Sequence, residues 1–345
     1  MNSLKLGSGS GDEADRILVT GGLGFLGSAF VRRFVLRGHD VSIIDVGTYA
    51  ADPRRLEKAD VPILKVDVAS AGSIDAIRNL RPDVIVHAAA ETHVTRSEGA
   101  AESFFKTNVE GTERVLEAAA AFGVRLVIYV STDEVYGPCP GEPFKEDEKE
   151  PGEGLATSPY ARSKALADDV ATAFSHRVPI IVVRPTNCFG PWQHPEKAIP
   201  RWVTRGLSGE RLPVWGDGLY VRDWMYMDDL CSAIEILVER GEAGQTYNAG
   251  PSAAPVTNLA IAAAIGRLTG GGEGAVYLTE YDRLDHDRRY AVNSSRLRGL
   301  GWSPRVDMEE GLSRTVDWYR RHQLWWVGHR SAAESLYQDE AARDH

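Results

Sequence analysis

The chain has 345 residues, 43% of them hydrophobic, with 39 Lys and Arg against 49 Asp and Glu and a formal net charge of -10. Single cores stop growing at roughly 250–300 residues, so this length predicts one large domain or a main domain with a smaller partner. The acidic balance, with pI ≈ 5.5, removes any electrostatic case for nucleic acid or an anionic membrane as partner. Cys139, Cys188 and Cys231 are odd in number and widely spaced, which argues against a disulfide framework or a zinc cluster and predicts a reducing, cytoplasmic setting.

Residues 1–15 hold Gly, Ser, Asp and Glu without an apolar core and predict a disordered leader, not a signal peptide. A membrane span needs about 18 apolar residues. The best candidate, Val115 to Val130, is broken by Glu117 and Arg125, so a soluble protein is expected. Arg16–Thr20, Val41–Asp45, Pro62–Asp67, Asp83–Ala88 and Arg125–Val130 are short β-branched runs without polar alternation, as strands covered on both faces require. Between them, Phe25–Arg37, Ser73–Leu80 and Glu102–Phe122 have helical spacing, with Gly38 and Gly123 placed to end helices. Alternating βα units predict an α/β fold: a Rossmann-type, doubly wound parallel sheet whose ligand lies beyond the C-terminal strand ends.

Residues 137–158 read as a long surface loop rich in Pro, Gly and Glu, the kind that often forms a lid. Helix Pro159–Phe174 and strand Ile180–Arg184 follow. Beyond Pro185 the rhythm loosens into Gly/Pro-punctuated segments with short helices, Asp228–Arg240 and Asn258–Leu268. A cofactor-binding domain over 16–185 is therefore expected, with a smaller mixed α/β substrate region mainly over 186–330 and a frayed tail over 331–345. All eight Trp fall between Trp192 and Trp326, an asymmetry that suggests different work for the two halves.

Two constellations carry chemistry. After the first strand comes Gly21-Gly22-Leu23-Gly24-Phe25-Leu26-Gly27, where glycines permit a tight turn, backbone approach to a pyrophosphate and close packing of the helix whose N-terminus faces the phosphates. Asp45 closes the second strand about 20 residues on, where a carboxylate accepts from a ribose 2′-hydroxyl and repels a 2′-phosphate, so NAD is expected over NADP. Tyr160 and Lys164 stand four apart on one helix face. A phenol with pKa near 10 serves as a base at neutral pH only beside a cation. Taken alone this pair is commonly a surface pair; joined to Ser131-Thr132 at the end of a core strand it becomes specific.

With these residues the chain resembles the extended short-chain dehydrogenase/reductase superfamily, whose members act on nucleotide sugars. The matching features are the Gly21–Gly27 loop with Phe25 and Leu26, Asp67-Val68 at the adenine position, His87-Ala88-Ala89-Ala90, Asn108 and Tyr160/Lys164. Ser131-Thr132-Asp133-Glu134-Val135-Tyr136-Gly137 is similar to the branch that dehydrates nucleotide sugars at C4 to C6, dTDP-glucose being the favoured substrate. Removing water across C5–C6 becomes feasible once C4 is a ketone, which acidifies the C5 proton. The resemblance implies that Tyr160 takes the 4-OH proton as hydride passes to NAD, that Thr132 orients that hydroxyl, that Glu134 removes the C5 proton, that Asp133 protonates the leaving 6-OH, and that hydride returns to C6. Two adjacent carboxyls divide acid and base roles only if their surroundings separate their pKa values, so Asp133 is expected to stay protonated through burial and the Glu134 charge.

The same resemblance implies NAD contacts from Gly21, Gly24, Phe25, Leu26, Gly27, Asp45, Asp67, Val68, Ala88, Ala90, Asn108, Tyr160 and Lys164. It implies substrate contacts from His93, Asn187, Lys197, Trp215, Arg222, Asn248, His286 and Arg289, with Trp215 stacked on the base. No metal is expected. A homodimer through helices 102–122 and 159–174 is also implied. Rival readings are a UDP-sugar epimerase or UDP-glucuronate decarboxylase on the same scaffold, which the Asp133-Glu134 pair disfavours, and a non-catalytic NAD-sensing scaffold, which would not need Thr132, Tyr160 and Lys164 together.

Overall fold

The computed structural model describes residues 14–343 apart from 94–96, 98, 151, 153, 155, 252–255 and 281–286. Strands β1 (Arg16–Thr20), β2 (Asp40–Asp45), β3 (Ile63–Lys65), β4 (Val84–His87), β5 (Leu126–Val130) and β6 (Ile180–Pro185) alternate with helices α1 (Phe25–Leu36), α2 (Ala71–Leu80), α3 (Ala101–Phe105), α4 (Gly111–Ala121) and α5 (Pro159–Phe174). Strand faces alternate, so Ile17 and Val19 enter one core with Phe30 and Val31 of α1, while Leu18 enters the opposite core with Val115 and Leu116 of α4. Every residue of β5 is buried, which is why these runs carry no polar alternation. Helix α5 starts where local chemistry favours it: Ser158 accepts from the Ala161 N–H at 3.0 Å and Pro159 opens the first turn.

The sheet is parallel throughout, and its seven strands include one that the sequence pattern did not announce. Their order is β11-β6-β5-β4-β1-β2-β3, where β11 (Thr246–Ala249) pairs with β6. After β6 the chain runs through β7 (Asn187–Phe189), α6 (Ala198–Leu207), β8 (Leu212–Trp215), β9 (Val221–Arg222), β10 (Trp224–Tyr226) and α7 (Met227–Arg240) before reaching β11. Helix α7 packs on the same core as α1, and its Glu235 meets Arg37 of the α1 C-cap at 2.6 Å. The expected division at residue 185 therefore fails in space, because late segments return to complete the early sheet.

The smaller region gathers β12 (Val256–Thr257), α8 (Asn258–Thr269), β13 (Val276–Thr279), α10 (Met308–Arg321) and α11 (Gln323–Arg343) with the two-stranded sheets β10-β7, β12-β9 and β13-β8, while α9 (Ser295–Gly299) packs against β11 and puts Leu297 into the core of the main sheet. Its core holds Trp192, Trp202, Trp318, Trp325 and Trp326. Three expectations need correction. Asp15, expected in the leader, already takes part in the fold: its carbonyl accepts from Asp40 N–H at 3.0 Å and its carboxylate pairs with Arg125 at 2.7 Å. The expected single helix over 102–122 is interrupted by a π turn at Lys106–Glu110, of the kind that often marks a functional position. The tail does not fray at 331, because α11 continues to Arg343 and docks through buried Ala333 and through Glu334, which pairs with Arg201 and Arg205 at 3.2 and 3.1 Å.

Residues 139–144 of the expected long loop are laid along 289–293. Cys139 N–H donates to the Arg289 carbonyl at 2.9 Å, and Phe144 and Asn293 exchange further backbone bonds with that segment. Parallel order reverses between β1 and β4, and a crevice opens beyond their C-terminal ends.

Candidate active site

The crevice is a cleft of about 520 Å³ bounded by the glycine turn, the ends of β2, β4 and β5, the first turns of α5 and the 185–197 segment. Gly21 has φ +69°, and a Cβ there would sit 2.7 Å from the Ala89 Cα; one on Gly27 would sit 2.1 Å from the Gly21 carbonyl oxygen. Neither position has room for a side chain. A Cβ on Gly24 would meet only that same oxygen at 3.2 Å, on the face open to the cleft. Asp45 is buried at the end of β2, where its carboxylate accepts from the N–H groups of Leu23 at 2.9 Å and Gly47 at 2.8 Å.

Of the residues expected at the cofactor, Gly21, Gly24, Phe25, Leu26, Gly27, Asp45, Asp67, Val68, Ala88, Ala90, Tyr160 and Lys164 all line the cleft. Asn108 does not. The π turn aims its buried amide at the wall behind: Oδ1 accepts from Glu91 N–H at 2.9 Å, and Nδ2 donates to the Glu91 carbonyl at 3.1 Å and to the Ser163 hydroxyl at 2.8 Å. Asn108 thus braces the β4 exit loop against α5.

The five expected catalytic residues meet on one wall. The turn Asp133–Tyr136 leaves β5 under a Thr132 cap, whose hydroxyl accepts from Glu134 N–H and donates to Asp133 Oδ1, both at 3.3 Å. That hydroxyl also favours the ionised form of the Tyr160 phenol, against the larger effect of burial. Burial, and then the Glu134 charge, push the Asp133 carboxyl well above the usual carboxylate range. Glu134, one residue on, is half-buried. Burial and Glu134 also push the Tyr160 phenol up, so in the protein alone it holds its proton. Lys164 donates to the Val130 carbonyl at 2.8 Å and lies 4.5 Å over the Tyr129 ring; burial lowers its ammonium to about 7, opposed by Asp168.

The substrate-side expectations divide. Asn187 and Lys197 line the cleft, with Lys197 donating to the Thr92 carbonyl at 3.0 Å. Arg222 is buried just behind, 4.4 Å over the Tyr290 ring and near enough for its charge to act on Asp133. His93 is buried next to Thr92 of the cleft wall. The other three described residues stand off the wall. Asn248 is fully buried on β11 and its amide is committed, accepting from the Tyr136 hydroxyl at 2.7 Å and donating to the Phe144 carbonyl at 2.9 Å. Trp215 packs edge-on against Tyr337 of α11, ring centroids 5.7 Å apart. Arg289 donates to the Gly141 carbonyl. His286 lies outside the described residues.

Buried polar atoms on this wall without a hydrogen-bond partner among the described residues include Asp133 Oδ2, Thr186 Oγ1, Asn187 Oδ1 and Gln193 Oε1. Buried polar groups are almost always satisfied, so these atoms are suited to hydrogen-bond a polar ligand in the cleft. Thr186 and Gln193 escaped the sequence reading. Thr186 had a signal, its place beside Asn187; Gln193 had none, since only the folding of the 190–197 loop beneath the cleft turns it inward. Lys106, also on the wall, looked like any surface lysine of a helix.

A profile of the NAD dependent epimerase/dehydratase family matches residues 17–250. The chain belongs to that family. It is 40% identical over 328 residues to the dTDP-glucose 4,6-dehydratase of Streptomyces griseus, covering 90% of this chain and 95% of the relative. Among solved structures, the dTDP-glucose 4,6-dehydratase DesIV of Streptomyces venezuelae, with NAD and dTDP bound, superposes at TM-score 0.84 with 39% identity, covering 90% of this chain and 98% of that one. The UDP-glucose 4-epimerase of Thermus thermophilus, in complex with NAD, superposes nearly as well, at TM-score 0.82, but is 28% identical, covering 89% and 99%. Fold alone therefore does not separate the two activities. The residues present fit NAD: a glycine cradle with no room for a Cβ at Gly21 or Gly27, a carboxylate at the end of β2, and a cleft continuing to Tyr160.

Proposed function

We propose that this protein is an NAD-dependent hydro-lyase converting dTDP-glucose to the 4-keto-6-deoxy sugar. The observation that carries the reading is the Asp133-Glu134 turn: one carboxyl is buried and pushed toward its protonated form, its neighbour is half-buried, and both line the cleft with Tyr160 and Thr132. An epimerase has no step that needs an acid for a 6-hydroxyl.

NAD, when bound, supplies the oxidant for C4 and the reducing equivalent that ends at C6. Thr132 and Tyr160 hold the 4-hydroxyl, and Tyr160 takes its proton as the phenolate, the form that the Lys164 ammonium and the positive charge of bound NAD favour against burial. Glu134 takes the C5 proton, made acidic by the C4 carbonyl. Asp133 gives its proton to the departing 6-hydroxyl, which leaves as water. Neutral Asp133 is the form that burial favours, so the fold prepares the acid before substrate arrives. Lys197, Asn187 and Arg222 serve the nucleotide diphosphate through charge-assisted and amide hydrogen bonds. Incubation with dTDP-glucose in deuterated water is expected to yield a 4-keto product labelled at C5; absence of both product and label would refute the assignment.

The same reading carries a homodimer through α3–α4 and α5, supported by Val109, Ala120, Val170 and Phe174, apolar residues left only partly buried along these helices. Sedimentation should give about twice 37.7 kDa. A reducing cytoplasm suits the three free thiols, Cys139, Cys188 and Cys231.

A further inference from the structure

Behind the catalytic wall lies a buried polar network that the proton transfers above do not use. Asp168 stands one turn beyond Lys164 on α5 and is wholly buried. Its Oδ1 accepts from Arg184 Nη2 at 2.7 Å, and its Oδ2 accepts from Arg184 Nε at 2.9 Å and from the Ser131 hydroxyl at 2.8 Å. Arg184, on β6, turns its remaining nitrogen to the Tyr136 hydroxyl at 2.7 Å and to the Glu146 carbonyl at 2.9 Å. Tyr136 then donates to Asn248 Oδ1 at 2.7 Å. A buried ion pair returns little net stability, because desolvation offsets the attraction. What this one does geometrically is plain. The fork of Arg184 grips the helix bearing Tyr160 and Lys164 with one edge, and with the other it grips the last residue of the four-residue turn bearing Asp133 and Glu134.

We propose that Arg184, acting through Asp168 and Tyr136, is a positioning residue that keeps the elimination carboxyls in register with the Tyr160/Lys164 pair. The inference rests on the dehydratase reading and adds to it an asymmetry. Helix α5 has other anchors, including the sixteen-residue helix itself and the bond from Lys164 to Val130. The Asp133–Tyr136 turn is short, and Tyr136 is its distal tether. Loosening that tether displaces Glu134 relative to C5 while leaving Tyr160 in place, so elimination suffers before C4 oxidation does.

The test is Tyr136→Phe, which removes one hydroxyl but keeps the ring stacked on Phe144 at 5.1 Å and under Arg184 at 4.9 Å, so the fold persists. An ångström of misplacement costs roughly a hundredfold, and a loss of about tenfold to a hundredfold in kcat is expected with KM nearly unchanged. In single turnover with dTDP-glucose, the absorbance of the reduced cofactor should rise as fast as in wild type and then persist, while deuterium entry at C5 slows in step with kcat. Arg184→Lys keeps a cation for Asp168 but cannot reach both partners, and should show the same pattern. Equal slowing of both steps, a KM effect without a kcat effect, or a kcat within about twofold of wild type would overturn the positioning role. A wild-type protein that leaves dTDP-glucose untouched would instead overturn the dehydratase reading beneath it.

Discussion

Along the cofactor side, the cleft wall is turn backbone and small residues: Gly21, Gly24, Ala88 and Ala90 on the C-terminal edge of a sheet buried on both faces. Across the seam it is made of side chains, Thr186, Asn187, Gln193 and Lys197, carried on the edge of a two-stranded sheet, a loop and the start of a helix. One side recognises a ligand by letting backbone come close, so added volume destroys it. The other recognises by placed polar atoms, several still unsatisfied, so a substitution changes affinity without disturbing the fold. Asp133 and Glu134 sit where the two walls meet.

The seam should respond most strongly. Replacing Glu134 with Gln keeps its shape and removes the base; general-base catalysis is worth roughly 10²–10⁴-fold. Product formation should fall by that factor while single-turnover reduction of the cofactor continues. Unchanged elimination would remove Glu134 from its assigned role.

On the cofactor side, Gly27→Ala drives a Cβ to 2.1 Å from the Gly21 carbonyl oxygen. Overpacking of this kind costs about 1–3 kcal/mol, and the protein should purify with little NAD, measured by release and absorbance after denaturation, and with a lowered Tm. Full NAD content would break the contrast between the two walls. On the substrate side, Lys197→Ala removes a charge-assisted hydrogen bond worth about 1.5–3 kcal/mol. It should raise the KM for dTDP-glucose by roughly tenfold or more, with Tm and bound NAD unchanged. Loss of NAD in this variant would show that the walls are not separable.

The smallest effect concerns Lys164. Its folded pKa of about 7 lies below the 10.5 of a free lysine, so below the lower value its burial opposes folding in full, and that cost fades as pH rises toward the upper one. Lys164→Met should therefore show its largest Tm advantage over wild type near neutral pH, shrinking in alkaline buffer. A gap that widens with pH would contradict the burial of a charged Lys164.

Much of the cofactor side could be read locally. A βα turn, a carboxylate at the next strand end and a YxxxK helix are each contained within a few residues, and the backbone conformation they require follows from residue type. Asp168 also had a local signal, a carboxylate four residues after Lys164 on the same helix face. The substrate side was less legible. Asn248 and Trp215 are expected as ligand contacts from their motifs, whereas in the structure the Asn248 amide bonds with Tyr136 and Phe144, and Trp215 packs edge-on against Tyr337 from a helix more than a hundred residues later. Gln193 enters the cleft with no sequence signal at all.

By itself the sequence determined the parallel βα core, the glycine turn and the adjacent carboxyls after β5, because hydrophobic period, glycine freedom and residue chemistry act over neighbouring positions. Only the tertiary structure decided that residues 227–249 rejoin the first sheet, that α11 closes on the substrate region, and that Arg184 ties the elimination turn to the catalytic helix. Those outcomes depend on which distant polar groups are buried together, and desolvation is a property of the packed whole that no short stretch of chain encodes.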